Sequence, residues 1–398
     1  MVRLPAPARP LFPYLKPAYV AATRLVAPVS QRVSRAGGNL LPTGAVETLA
    51  QAAATSGGRW LTARPAEVIE RGSPQGLPAG LRATDPGDPD NVPALRVATL
   101  PDGRVLGAQR AVISGAGDLV MEVSRYWGTR RPREQPLYLN PSPPPPLHVP
   151  GRLGVLAGRG DTNYYHWLVD ILPRLGVLEQ CPDLAAPELW YVPTSMSFHG
   201  QLLDRLGIPA DRRISADEHP HVRADELVVP SLITEKNPPW MVAWLRAKLL
   251  PDGPPGGPRT RIVLTRGPSP NNRSVRNEAE VRELLSGYGF TAVDPGTLSV
   301  EEQIATFAQA EIIVGAHGAG LTNLAFASPG ARVIELFPAG YLLLDYWWLA
   351  SVVPGVDYRY LSAPARRRSA LRNRGSAIVA DIDVDLDDLR TLVEEWVG

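Results

Sequence analysis

The apolar positions of this chain change rhythm along its length. From residue 152 onward, short apolar runs alternate with longer stretches that carry a helical period. The runs fall at 153–157, 188–192, 226–229, 261–264, 290–293, 312–314 and 331–336. Continuous apolar runs of this kind predict strands buried on both faces. Between and after them, 165–178, 199–206, 239–250, 277–288, 299–310, 341–350 and 386–397 read as helices. Ser299, with Gln303 shortly after it, marks one helix start. Strand–helix alternation predicts α/β units in which helices cover a parallel sheet.

The first part of the chain reads differently. A short helix is predicted over 19–35, and two alternating runs at 95–100 and 104–107 flank Asp102-Gly103. Asp-Gly between alternating runs predicts a β-hairpin. A further strand is predicted at 119–123, and the prolines of 141–146 predict a stiff extended linker. The turn-rich stretch 85–90 and the Pro/Gly run 251–258 are the best breaks. They divide the chain into a variable region 1–89, an N-terminal lobe 90–255 and a C-terminal lobe 256–398. The N-terminal lobe has a β-rich part, 90–147, and an αβ part, 150–250. Two αβ lobes predict a two-lobed α/β molecule with a cleft between them.

At 398 residues the chain exceeds the size at which one core stops growing, in keeping with two domains. A net charge of +1 exerts no global pull towards nucleic acid. The single cysteine, Cys181, excludes a disulfide framework and suits a cytosolic compartment. Prolines interrupt the N-terminus where a signal peptide would need an apolar core. One asymmetry stands out there. Arg3, Arg9, Lys16, Arg24, Arg32 and Arg35 all precede the first acid, Glu47, with Leu11, Phe12, Tyr14, Leu15, Tyr19, Val20, Leu25 and Val26 among them. Two readings fit: a loosely packed basic arm, or a segment lying on an anionic membrane face.

Chemistry concentrates in two stretches. The strand at 312–314 runs into Gly315-Ala316-His317-Gly318-Ala319-Gly320-Leu321-Thr322-Asn323, a glycine turn followed by a helix start. Unpaired N–H groups and the helix dipole make such a turn an anion site, and His317 adds a donor or a proton-transfer group. The second stretch, Asn163-Tyr164-Tyr165-His166-Trp167 with Asp170 and Arg174, also opens a helix after a strand and glycines. His166 and Asp170 share one helix face, so the carboxylate can orient the imidazole and raise its basicity. Arg266 and Arg273, ahead of Asn277 and a helix, suit phosphate or carboxylate recognition. Glu335 ends an apolar strand at the edge where open α/β sheets bind ligands. Asp217, His219 and His221 resemble a metal cluster in spacing but lie in a polar turn without a further obvious ligand. Asp88 with Asp90, and Asp381 with Asp383 and Asp385, have the aspartate spacing that some metal-dependent sugar-transfer enzymes use. A G-x-S-x-G elbow is absent, which disfavours a serine hydrolase.

Together these blocks, with Val333-Ile334-Glu335-Leu336-Phe337-Pro338, resemble glycosyltransferase family 61 over roughly residues 150–360. The family includes bacterial capsular-polysaccharide enzymes, plant xylan arabinosyl- and xylosyltransferases and animal O-linked N-acetylglucosaminyltransferases. The resemblance implies a GT-B fold of two Rossmann-like lobes and an inverting, metal-independent transfer of a hexosyl or pentosyl group. It implies no cofactor, only a nucleotide sugar such as a UDP-sugar as donor and a glycan or lipid-linked glycan as acceptor. Donor contacts would come from Arg266, Arg273, Asn277, His317, Gly318, Ala319, Gly320, Leu321, Thr322, Asn323 and Glu335, the last with Asn323 at ribose or base. Acceptor contacts would come from Tyr165, Trp167 and Arg174, and the base would be His166 or Asp170. The corresponding role is capsular or other cell-surface polysaccharide synthesis at the inner face of the membrane. A non-catalytic nucleotide- or sugar-binding protein of the same fold is the other reading.

Overall fold

The computed structural model describes residues 12–38, 40–83, 91–126, 128–129, 131–184, 186–233, 237–251, 258–266, 274–364 and 380–397. Arg3, Arg9, Leu11, Arg273, the 85–90 turn with Asp88 and Asp90, and most of the 251–258 run lie outside them. The side chains of Phe12, Tyr14 and Lys16 do too. The fold is α/β, and the chain divides into two compact units. One comprises Tyr14–Val68 and Asn91–Glu235; the other comprises Met1–Pro13, Ile69–Asp90 and Lys236–Gly398.

The first of these units is built on one mixed sheet. Its central strands are β1 (Leu95–Pro101), β2 (Arg104–Leu106), β3 (Leu147–Val155), β4 (Leu189–Val192), β5 (Arg213–Ser215) and β6 (His221–Pro230). Strands β6, β3, β4 and β5 are parallel neighbours in that order. The order therefore reverses beside β3, the first of the four in the chain. Leu153, Val155, Tyr191, Val222, Leu227 and Val229 form its core with Leu100 and Val105.

The Asp102-Gly103 hairpin does not form. Both β1 and β2 run antiparallel along β6 in one unbroken register, with Pro101 opposite Glu226 and Arg104 opposite Arg223. Asp102 takes a left-handed φ of 59° and marks a kink within a single strand edge. The ladder continues through it: Asp102 N–H donates to Asp225 O at 2.9 Å and Ala224 N–H to Gly103 O at 3.1 Å. A Cβ on Gly103 would stand 2.9 Å from a Leu227 methyl, so only glycine lets β6 pack this closely. The residues that allow a tight hairpin also allow a kinked strand, and pairing with β6 decides between them.

The second unit holds a parallel sheet of β7 (Thr260–Leu264), β8 (Phe290–Val293), β9 (Ala310–Ala316), β10 (Arg332–Phe337) and β11 (Asp357–Ser362). The spatial order is β8-β7-β9-β10-β11, and the early strand Gln75–Leu77 adds to the far edge in parallel. Numbered along the chain, this is 2-1-3-4-5, with the reversal between β7 and β9. In open α/β sheets, ligands bind outside the carboxyl ends of the strands at that reversal. The apolar pattern does not predict β11, where Asp357 and Arg359 alternate with buried Tyr358 and Tyr360. It does not predict Gln75–Leu77 either.

Ile334 and Leu336 of β10 pack with Val281 and Leu285 of helix α2 (Glu278–Ser286) and Leu389, Leu392 and Val393 of helix α4 (Leu386–Val397). Side chains alternate along a strand, so Val333, Glu335 and Phe337 take the opposite face. Helix α3 (Val300–Gln309) begins at Ser299, whose capping box closes on Glu302 rather than Gln303. Helix α1 (Phe12–Ala36), in the first unit, is longer than the 19–35 predicted.

Candidate functional site

The His317 turn sits where the second sheet reverses its order. Strand β9 ends at Ala316, and His317 N–H donates to Leu336 O at 2.9 Å, which extends the strand pairing by one residue. A 3-10 helix, Ala319–Phe326, follows. The imidazole stacks on Phe337 with ring centroids 5.0 Å apart and meets Tyr346 at 5.1 Å and Tyr341 at 5.7 Å. Its Nδ1 lies 2.5 Å from Glu335 Oε1, and Glu335 is fully buried. The Tyr358 hydroxyl donates to the other carboxylate oxygen, Oε2. Burial first, and then the Glu335 charge, raise the Tyr358 phenol well above its ordinary value, so it stays a donor. With Nδ1 turned to Glu335, the ring presents Nε2 on its opposite side. Glu335 thus lies under His317 and holds it, where the resemblance had implied a ribose or base contact.

The glycines explain how an arginine reaches this turn. A Cβ on Gly318 would lie 2.5 Å from Arg266 Nη2 and 2.9 Å from Cζ, so the guanidinium packs directly on the Gly318 backbone. Arg266 follows β7 and Gly318 follows β9, the two strands flanking the reversal. Gly318 has an extended φ of 165°, which any residue can adopt; closeness is what requires glycine there. Thr322 and Asn323 are fully buried and brace the turn. The Thr322 hydroxyl donates to Ala319 O at 2.7 Å; Asn323 Nδ2 donates to Gln303 Oε1 at 2.9 Å and Gly320 O at 3.2 Å. Leu321 is buried in the core beside them. Asn277 is engaged elsewhere. Its Nδ2 donates to Val384 O at 2.8 Å and its Oδ1 accepts from Val384 N–H at 3.0 Å, clamping the C-terminal segment.

The second candidate stretch follows β3 in the first unit. Asn163 Oδ1 accepts from Tyr165 N–H at 2.9 Å and starts a helical turn, Tyr164–His166. The single helix predicted over 165–178 is instead broken into that turn, a π-helical segment Trp167–Ile171 and a helix Arg174–Glu179. His166 Nδ1 lies 2.8 Å from Asp170 Oδ2. The Asp170 side chain is 2% exposed and that of His166 16%, so the carboxylate is internal and the imidazole reaches the surface. Arg174 is buried beneath them, its Nε donating to Asp170 O at 3.2 Å and Nη1 to Ala157 O at 3.2 Å. Burial lowers its pKa to about 10. Trp167 is fully covered, and Tyr165 nearly so.

In a third group, only Asp217 carried a local sequence signal, its metal-like spacing with His219 and His221. Buried Arg110 donates from Nε to Asp161 Oδ2 at 3.1 Å, from Nη1 to Ala216 O at 2.6 Å and from Nη2 to Asp217 Oδ1 at 2.5 Å. Asp217 Oδ2 also accepts from Thr194 and Ser195 N–H, and His199 Nε2 bonds Asp161 O at 2.8 Å. This network ties together the loops that leave β3, β4 and β5. Its members are far apart in sequence, so only the sheet order reveals it. Asp217 and His221 point to separate partners, since His221 Nδ1 bonds Pro144 O at 2.6 Å.

Residues 164–334 match the family model described as Glycosyltransferase 61, a span that contains both the His166 stretch and the His317 turn. Over that stretch, the chain is similar to the glycosyltransferase 61 family. Among curated relatives, it is 34% identical over 86 residues to Beta-1,2-xylosyltransferase RCN11 of Oryza sativa subsp. japonica, covering 18% of this chain and 16% of the relative. It is 36% identical over 99 residues to Protein O-linked-mannose beta-1,4-N-acetylglucosaminyltransferase 2 of Danio rerio, covering 23% and 17%. The protein of the same name from Tetraodon nigroviridis is 32% identical over 109 residues, covering 25% and 18%. The chain thus spans less than a fifth of the length of these glycosyltransferase 61 relatives.

Proposed function

We propose that this chain is an inverting glycosyltransferase that moves a sugar from a nucleoside-diphosphate donor to a glycan hydroxyl. One observation carries the reading: Arg266 packs on Gly318 beside His317, at the reversal of a parallel sheet inside the family-matched segment. The two α/β units are read as donor and acceptor lobes of a GT-B enzyme. In the second unit the diphosphate rests on the turn 317–321, with the Arg266 guanidinium against it. As the bond between the anomeric carbon and the diphosphate oxygen breaks, negative charge grows on the leaving group. Fixed donors aimed at that charge stabilise it without reorganising and take the place of a metal ion. His317, braced by Glu335 and Tyr358, contributes a directed ring nitrogen.

The first unit supplies the base. Buried Asp170 bonds His166 Nδ1 and orients the ring, and Nε2 takes the acceptor proton as the hydroxyl oxygen attacks. Asp170 orients and does not itself accept the proton; Arg174 and Trp167 position this segment, and Tyr165 flanks it. The relatives' names mention xylosyl and N-acetylglucosaminyl transfer, and the shared class is glycosyl transfer. The acceptor proposed here is a cell-surface glycan.

The test is release of nucleoside diphosphate from a panel of UDP- and GDP-sugars, with and without EDTA. Turnover that persists in EDTA and falls by about a hundredfold or more in His166→Ala supports the scheme. Asp170→Asn is expected to lose less than His166→Ala. Nucleotide binding without turnover of any donor would instead identify a binding protein. Activity abolished by EDTA and restored by manganese overturns the metal-free step.

A further inference from the structure

Helix α1 is built inside out. Ordinarily a surface helix turns its large apolar residues to the core. Here the inward stripe is Thr23, Ala27, Ser30 and Ser34, all buried, with Ala27 packed among Leu41, Leu106, Ile113 and Tyr138. Ser34 Oγ accepts from Leu41 N–H at 2.8 Å and Gln31 donates to Pro42 O at 2.8 Å, which secures the helix to its unit. The large apolar residues face out. Leu15, Tyr19, Val26, Val29 and Val33 recur on one side of the helix and are exposed, Val29 by 63% and neighbouring Leu25 by 79%. From Leu15 to Val33 the stripe runs about 27 Å.

A cavity of about 480 Å³ opens beside this helix, lined by Arg24, Gln31, Thr43, Arg131, Arg133 and Tyr138 among others. No acid is among the described residues that line it. Burial pushes the Tyr138 phenol up to about 12, against the pull of Arg133, so it remains a donor. Arg32 and Arg35 continue the positive charge along α1, and the first acid in the chain is Glu47. Helical spacing sets Arg24, Gln31 and the cavity on the side of α1 away from the stripe, while exposed Arg32 borders the stripe beside Leu25. An exposed apolar stripe with a cation at its edge matches a surface that is oily beneath and anionic above. A second copy of this chain would bring arginine against arginine. Among the described residues, no helix is long and apolar enough to cross a membrane.

We propose that α1 lies flat on an anionic phospholipid surface, its apolar stripe sunk to the headgroup boundary and exposed Arg32, at the edge of the stripe beside Leu25, meeting the lipid phosphates. This brings the chain to the bilayer independently of whatever reaction it catalyses. The test is co-sedimentation of the full chain with vesicles of phosphatidylcholine alone or of phosphatidylcholine mixed with phosphatidylglycerol. The chain should sediment with the mixed vesicles and not with the neutral ones, and added salt should release it. Leu25→Glu combined with Val29→Glu should abolish sedimentation at an unchanged melting temperature, since both side chains already face solvent. Arg32→Ala should weaken it about fivefold. Failure to bind the mixed vesicles, or equal binding by the double glutamate variant, overturns the proposal. So does a dimer, measured by light scattering, that the double variant dissolves, or binding of inorganic phosphate without binding of vesicles.

Discussion

Glycines 315 and 318 meet different kinds of neighbour, and the difference predicts different phenotypes. A Cβ on Gly315 would stand 2.9 Å from Leu264 Cδ1 and 3.2 Å from Leu264 Cβ, inside the packed face of β9 against β7. Gly315→Ala is therefore expected to cost about 1–3 kcal/mol of stability, the usual range for overpacking a core. A Cβ on Gly318 meets only the far end of Arg266, a long side chain that can swing away. Gly318→Ala should keep its melting temperature and lower donor turnover about tenfold, the loss of one charge-assisted contact. Calorimetry and donor-hydrolysis rates on the two variants check this; equal destabilisation of both would remove Arg266 from the donor site. The turn itself was legible in the sequence, because a buried strand running into Gly-Ala-His-Gly-Ala-Gly has few alternatives. The role of Glu335 was not. Its face of β10 is set by α2 and α4 taking Ile334 and Leu336, a partition made by distant residues.

At the scale of elements, the segment that carries His166 shows what periodicity leaves open. Helical spacing from 165 to 178 was read as one helix, and Pro173 inside it was compatible with that only if something relieved the ring. The structure relieves it with a π turn: Leu172 N–H reaches back to Trp167 O at 2.9 Å. π turns are frequent at functional sites, and this one carries Asp170. Arg174 serves one carbonyl of this irregular segment, Asp170 O, and one of the loop after β3, Ala157 O. A guanidinium can hold both because its donors form a rigid fork, whereas an ammonium is a point charge on a flexible stem. Arg174→Lys should therefore destabilise the chain by about 2–3 kcal/mol, through buried carbonyls left unserved. In urea titrations the midpoint should fall with the slope unchanged. An unaltered midpoint would show that the fork is dispensable.

At the scale of the whole molecule, the α/β class followed from the alternation of runs and periods, while strand order did not. β11 went unread because tyrosines alternating with charges look like surface, although Tyr358 and Tyr360 are buried. The buried network around Arg110 was equally silent, and it bears on how stability depends on pH. Burial lowers the pKa of His199 below its ordinary 6.5, and burial likewise lowers that of His221. The folded chain keeps both rings neutral where the unfolded chain would protonate them. Just below pH 6.5 the unfolded state then binds more protons, so stability falls as pH falls. Asp217 acts in the same sense at lower pH. Burial alone would raise it, but the Thr194 N–H and Arg110 outweigh that and hold it below its ordinary 3.8. Asp161 acts in the opposite sense: burial raises it in spite of Arg110, so its protonation favours the fold as the medium becomes acid. In the window just below 6.5, His199 and His221 both lower stability as pH falls. Melting temperature should be flat above pH 7 and decline from about pH 6.5 towards 5. His199→Gln together with His221→Gln should flatten that decline whatever their effect on stability at neutral pH. A decline of undiminished slope in the double variant would place the acid sensitivity in other groups.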